Sequence, residues 1–130
     1  MLAALRALRT PPPLYRVRID DRVVEARTVI VTRARCYGGP FVLTPEAGLE
    51  RPGLHVVILG AFGLVAALRY GLALAMGRLQ RHAEVTFANG PWICIEGPDG
   101  DPVQMDGDVA SGLTLSVSLA ERSVPILVRG

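Results

Sequence analysis

The chain has 130 residues, half of them hydrophobic, with a mean hydropathy of +0.35 and a formal net charge of +2. This length and apolar content suit one folded domain and exclude a disordered chain. All 14 basic residues are arginine and 12 residues are acidic, a near balance that argues against a nucleic-acid binder. Two cysteines are too few for a disulfide framework or a zinc site. Because no signal peptide follows Met1, we expect a cytoplasmic protein with free thiols.

Positive charge is concentrated near the N-terminus. Residues 1–35 contain eight arginines against three acidic residues, or +5, which leaves −3 for the rest of the chain. A basic surface of this kind fits anionic lipid headgroups and predicts a peripheral contact with a membrane. A solvated strand face is the second interpretation, because Arg16 and Arg18 alternate with Val17 and Ile19.

Turn residues divide the chain into short segments typical of a β-rich domain. Leucines at positions 2, 5 and 8 predict a short helix ended by three prolines, so residues 1–13 form a helix and linker and residues 14–130 the domain.

Within the domain, a hairpin with an Asp20-Asp21 turn joins the first two strands. The apolar run 29–31 predicts a strand central in its sheet. Strands are predicted over residues 15–19, 23–26, 28–33, 41–44, 54–59, 83–87, 92–96, 103–106, 113–119 and 124–128.

One long helix is predicted over residues 61–81, apolar over most of its surface. A membrane span needs about 20 apolar residues, and Arg69 interrupts this run near its middle. We therefore expect the helix to pack inside the fold or against a partner, either another domain or a second copy in a homodimer. Two histidines, His55 in an apolar strand and His82 near the helix end, have no second ligand at metal spacing and are expected to be structural.

The stretch from Val103 to Asp108 holds the candidate chemistry. Val103 and Met105 alternate with polar residues, which predicts a strand, and Gly107 allows the positive φ of a tight turn after it. Asp108 would then follow the strand's end, where a carboxylate can act as a general base. A plain Asp-Gly turn is the alternative.

A calcium loop built from four nearby aspartates is a third interpretation of this region. The residues concerned are Asp99, Asp101, Asp106 and Asp108. Pro102 breaks the spacing of an EF-hand, however. Residues 97–101 are instead predicted to form a hairpin turn between strands 92–96 and 103–106.

Two motifs in a fixed order indicate a family. The segment from Cys36 to Ala47, followed by Leu49 and by residues 53–57, reads CYGGPFVLTPEA…L…GLHVV, and VQMDGD follows at residues 103–108. Together they resemble the C-terminal half of the diacylglycerol kinase catalytic family, the bacterial lipid kinases related to diacylglycerol, sphingosine and ceramide kinases. The resemblance covers residues 15–128. It implies a mainly β (α+β) fold, a β-sandwich of about nine strands with one long helix, as in the diacylglycerol kinase/NAD kinase-like fold.

The resemblance also implies site residues and a reaction. Asp108 would be the base that accepts the proton of a lipid hydroxyl, and Asp106 would orient the site beside it. Substrate binding would fall to Tyr37, Gly38 and Gly39. The complete enzyme would use ATP and Mg²⁺ to phosphorylate a diacylglycerol- or sphingosine-like lipid.

The nucleotide-binding half of the family has no counterpart in this sequence. The family's Gly-Gly-Asp-Gly-Thr segment is absent, so we expect neither ATP nor Mg²⁺ to bind this chain alone, and a nucleotide-binding domain to act with it in cis or in trans. The family's structural metal would retain only the Leu49 and Leu54 carbonyls, because Pro52 stands where the family has an aspartate. We expect that metal site to be lost.

A non-catalytic lipid- or protein-binding module with the same fold is the alternative function. Asp108 stands where the family has a glutamate, and its side chain is shorter by roughly 1.5 Å; a displacement of about 1 Å can cost a hundredfold in rate.

Overall fold

The computed structural model describes residues 11–48, 50–122 and 125. A helix, α1, spans Leu64–Ala75, and a 3-10 helix spans Leu79–Arg81. The predicted mainly β fold with one helix is confirmed. The strands described are β1 (Tyr15–Ile19), β2 (Arg22–Ala26), β3 (Thr28–Thr32), β4 (Cys36–Tyr37), β5 (Phe41–Val42), β6 (Leu54–Leu59), β7 (Val85–Gly90), β8 (Trp92–Glu96), β9 (Pro102–Met105), β10 (Asp108–Ser111) and β11 (Leu115–Ser118).

Sheet A has four antiparallel strands in the order β11-β8-β1-β2. Val17 and Ile19 of β1 alternate with Arg16 and Arg18, so the aliphatic side chains are buried and the arginines exposed. Arg18 lies 3.9 Å from Glu96 of the neighbouring strand, an exposed ion pair of small energetic weight. The solvated strand face inferred from this alternation is therefore present.

Sheet B, in the order β3-β6-β7, lies between two apolar layers. Its middle strand is buried on both faces: Val56 packs with the inward residues of sheet A, while Val57 packs with α1. Neither valine has any exposed surface. The order of layers is thus sheet A, sheet B and helix.

The prediction that the apolar run of β3 forms a central strand is wrong for the sheet that the structure describes. Among the described residues, β3 pairs only with β6 and lies at the edge of sheet B. Its side chains still face two layers, since Val29 and Val31 pack toward sheet A and Ile30 toward α1. Burial on both faces therefore reflects the layers above and below a strand, not its neighbours within the sheet.

The helix is shorter than the predicted 61–81. Gly63, with φ 95°, precedes α1, and Gly77, with φ 65°, follows it. The Gly77 N–H donates to the Leu74 carbonyl at 3.0 Å and the Arg78 N–H to the Ala73 carbonyl at 2.7 Å, a Schellman ending. Since Leu79 continues the apolar spacing past Gly77, the hydrophobic pattern did not reveal this end.

The predicted hairpin between strands 92–96 and 103–106 is also wrong. β8 pairs with β1 and β11, whereas β9 pairs with β10 in a separate two-stranded ribbon. The helix predicted from the leucines at positions 2, 5 and 8 and the strand predicted over 124–128 lie outside the described residues. Among those described, no helix is long and apolar enough to cross a bilayer.

Gly97 follows β8 at a tightly packed position and gives a stability test. A Cβ there would lie 2.6 Å from Tyr15 Cδ1 and 2.8 Å from Leu113 Cδ1, too close for either side chain. We expect Gly97→Ala to lower the free energy of unfolding by about 1–3 kcal/mol through overpacking. Gly71→Ala is the control: its Cβ meets no atom within 4 Å and it lies within α1, so it should stabilise by about 0.5–1 kcal/mol. Urea unfolding followed by circular dichroism measures both, and equal stabilities would contradict the packing at Gly97.

Candidate functional site

The two aspartates of the second motif lie at a hairpin tip. β9 ends at Met105, β10 begins at Asp108, and these two residues are cross-strand partners. Asp106 and Gly107 therefore form a two-residue turn, with φ 49° and 100°. Two successive positive φ values are typical of the type I′ turn that Asp-Gly favours. Both carboxylates are exposed.

This geometry corrects one prediction and confirms another. Asp106 is the first turn residue, not the last of the strand, and Asp108 starts the next strand instead of following a strand's end. The positive φ predicted for Gly107 is confirmed. Val103 packs against the core, but Met105 is exposed, so the predicted inward face holds at only one of the two positions.

The predicted substrate residues occupy another hairpin. β4 and β5 pair through Cys36 with Val42 and Tyr37 with Phe41, and Gly38 and Gly39 turn between them with φ 61° and 112°. The Tyr37 and Phe41 side chains are both exposed, which gives this hairpin an aromatic surface. In the described parts of the chain, the hydrogen bonds and ion pairs found do not join this hairpin to the one at Asp106.

The predicted metal position is described only in part. Leu49 lies outside the described residues, and Leu54 is buried as the first residue of β6, opposite Gly90. The intervening Pro52 is exposed and has no donor atom in its side chain. Within the described ranges, no three His, Cys, Asp or Glu side chains gather at metal-binding distance. The four aspartates of the calcium interpretation form no such group either.

One of those aspartates is used structurally. The Tyr15 hydroxyl donates a hydrogen bond of 2.5 Å to the Asp101 carboxylate, which ties β1 to the loop before β9. Burial raises the pKa of Tyr15 to about 12, and the hydrogen bond and negative charge of Asp101 act in the same direction. Asp101 thus anchors the base of the ribbon that carries Asp106 and Asp108.

Sequence reasoning missed a cavity beside the first motif. It has a volume of about 380 Å³ and lies between the loop after β5 and sheet B, within the size range of small-molecule sites. His55 and Asn89 are cross-strand partners in its wall, with Glu46 and Gln80 at its sides. His55 Nε2 is buried without a hydrogen-bond partner among the described residues. The available signal was His55, a polar residue within the apolar run LHVVIL, for which the sequence predicts only a structural role.

The layers and hairpins together define a class, an antiparallel β-sandwich with one helix on its outside. The model of the family described as the YegS C-terminal NAD kinase beta sandwich-like domain matches residues 1–128, and the chain belongs to this family. Membership confirms the resemblance to the C-terminal domain of the diacylglycerol kinase family.

Comparison with solved structures agrees at the level of the fold. The chain is similar to the structure described as a "putative diacylglycerol kinase from Bacillus anthracis str. Sterne", with a TM-score of 0.61 and 16% identity. The match covers 90% of this chain but only 40% of that one. No protein of curated function matches. The chain therefore corresponds to less than half of its solved structural relative.

Alkaline titration tests the anchor at Tyr15. The tyrosine pKa is about 10 when unfolded, so a folded value of about 12 means that the folded state holds its proton more tightly. Stability from this difference is complete below pH 10 and is lost as the pH rises from about 10 to about 12. The chain has no lysine, which leaves tyrosine as the main group titrating there. We expect absorbance at 295 nm to show a late phenolate phase that Tyr15→Phe removes.

Asp101→Asn separates the causes of that shift. It removes the charge but not the burial, which is the larger effect, so the late phase should move part of the way toward pH 10. The urea midpoint of the parent should fall more steeply than that of Tyr15→Phe between pH 10 and 12. A titration curve unchanged by Tyr15→Phe would refute the assignment.

Proposed function

We propose that this chain is the lipid-substrate side of an ATP-dependent lipid kinase, inactive alone, that directs the γ-phosphoryl group of ATP to a hydroxyl of a diacylglycerol- or sphingosine-like lipid. The observation that carries the proposal is the pair of exposed carboxylates, Asp106 and Asp108, at a hairpin tip in a domain of this family. Exposed carboxylates at the end of a paired hairpin can contact a substrate that approaches from outside the domain.

The hairpin suits the roles proposed for its two aspartates. The ladder to Met105 fixes the backbone of Asp108, and its exposed side chain can accept a proton from a lipid hydroxyl as the oxygen attacks phosphorus. Asp106, two residues earlier, would position Asp108 and the hydroxyl. None of the ion pairs found among the described residues occupies either carboxylate.

The second hairpin would contact the lipid. Tyr37 and Phe41 present exposed aromatic surface, and Gly38 and Gly39 leave the backbone between them open to a close approach, since a Cβ at either glycine would meet nothing within 4 Å. Apolar contact with aromatic rings suits the glycerol-proximal part of a lipid.

ATP and Mg²⁺ would be held by a nucleotide-binding domain, in cis or in trans. This chain spans only 40% of its solved structural relative, lacks the glycine-rich phosphate segment and contains no lysine. Because ATP is intracellular and the acceptor is a lipid, the proposal places the complete enzyme in the cytoplasm at a membrane surface.

A non-catalytic binding module is the second candidate. Two observations favour it: Pro52 stands where the family has a carboxylate, and Asp108 is one methylene shorter than the family's glutamate. The experiment below distinguishes the two candidates.

The test supplies a nucleotide-binding domain, fused or in trans, and measures phosphorylation of diacylglycerol. Asp108→Asn keeps the side-chain shape but removes the proton acceptor, so kcat should fall by on the order of 10² to 10⁴ with little change in KM. Asp108→Glu should hold or raise the rate, because it restores the reach used by the family, and Asp106→Asn should have a smaller effect. Asp99→Asn, at an exposed aspartate of the loop before β9, is the matched control and should leave the rate unchanged.

Two results would contradict the proposal. One is an Asp108→Asn variant as active as the parent; the other is an inactive parent that Asp108→Glu does not rescue, which would favour the binding module. Calorimetry with Mg-ATP on this chain alone should show no binding, and a micromolar site would contradict the assignment of nucleotide to another domain.

A further inference from the structure

The outward face of α1 carries large apolar side chains in contact with water. Val65, Leu68 and Leu72 are 72%, 64% and 61% exposed, and Met76 continues the same stripe just after the helix. Their spacing of three or four residues places them on one side of the helix. We call these four residues the outer stripe. A soluble helix normally presents polar residues there, so this arrangement needs an explanation.

The inner side of the helix already accounts for its attachment to the fold. Small residues, Ala66 and Ala73, are buried there and allow a close approach to Val57 and Val85 of sheet B. Tyr70 Oη accepts a hydrogen bond of 3.0 Å from the Ala61 N–H, and its ring meets that of His82 edge to face at 5.0 Å. The helix is thus fixed without the outer stripe, whose side chains contribute little to folding.

The helix and the residues just after it are rich in positive charge. Residues 61–83 contain no acidic residue and three arginines, Arg69, Arg78 and Arg81. Arg69 lies 3.7 Å from Glu84, while Arg78 and Arg81 are exposed just beyond the end of the helix. The surface is therefore apolar along the outer stripe and cationic at the C-terminal end of the helix.

An anionic bilayer is the partner that matches both properties. A helix lying in the membrane interface buries an apolar face about 5–10 Å deep while flanking arginines bind anionic headgroups. A second copy docked on the same face would cover the apolar stripe, but its residues 61–83 would bring no carboxylate to Arg78 and Arg81.

We propose that the outer stripe of α1 docks on an anionic bilayer surface, with Val65, Leu68, Leu72 and Met76 entering the acyl boundary and Arg78 and Arg81 contacting the headgroups. The helix lies on the membrane without spanning it. The biological role of this docking surface rests on the proposed function, because docking would bring the domain to the membrane that contains the lipid acceptor. Its test uses neither ATP nor acceptor, so it can fail or succeed independently of kinase activity.

Sedimentation with vesicles measures the docking directly. The parent chain should bind vesicles that contain phosphatidylglycerol and bind pure phosphatidylcholine vesicles weakly. Leu68→Gln with Leu72→Gln keeps good helix formers but removes the apolar contact, and should weaken binding at least about tenfold. The matched control is Leu14→Gln with Val23→Gln, at residues 50% and 53% exposed outside the helix, which should bind like the parent. Arg78→Gln with Arg81→Gln should weaken binding on the order of tenfold, on anionic vesicles only.

A tryptophan reporter distinguishes insertion from adsorption through other arginines. In a Trp92→Phe background, a tryptophan placed by Leu72→Trp should shift its emission to shorter wavelength with vesicles and be quenched by brominated acyl chains. A tryptophan placed by Val23→Trp, on β2, should show neither change. The first substitution is at an exposed helix position, and a thermal melt by circular dichroism confirms that each variant is folded.

Three outcomes would overturn the proposal. In the first, the glutamine variant of the outer stripe binds anionic vesicles as tightly as the parent. The second is vesicle binding without quenching at Leu72→Trp, which assigns binding to other basic residues. The third is a parent that binds no vesicles but forms a dimer that the glutamine variant dissociates, which assigns the stripe to a second copy.

Discussion

Burial of β6 on both of its faces is the constraint on which the rest of this structure depends. Successive side chains of a strand point in opposite directions, so the fully buried neighbours Val56 and Val57 require two separate covers. Sheet A supplies one and α1 the other. At about 25 cal/mol per Å² of apolar surface, losing either layer would be costly for a domain of this size.

This layering determines which parts of the chain are free to act on other molecules. The core uses the middle of the strands and the inner side of α1, which leaves the hairpin tips at Gly38 and Gly107 outside it. Carboxylates and aromatic rings at those tips can therefore serve a substrate without loss of packing. The outer stripe of α1 is free for the same reason, because Ala66, Tyr70 and Ala73 on the other side of the helix make the contact with sheet B.

Several elements could be predicted from sequence, and the errors have a common origin. Alternation of apolar and charged residues identified β1, and the Asp106-Gly107 pair identified the turn after β9. Both signals lie within a few residues of sequence. The β8–β9 hairpin was wrong because strands adjacent in sequence were assumed to pair, whereas β8 lies between β1 and β11. The cavity at His55 was not predicted, because it needs side chains from four separate segments.

The sequence by itself was enough to indicate one apolar domain, its family motifs and the turn at Gly107, because a positive φ is a local property that few residues other than glycine adopt readily. Tertiary structure alone decided which strands pair and which side of α1 faces water. The helix is apolar nearly all round, so its sequence favours no one orientation. The packing of Ala66, Tyr70 and Ala73 against sheet B selects the inner face, and the aliphatic side chains of the outer stripe are left outside.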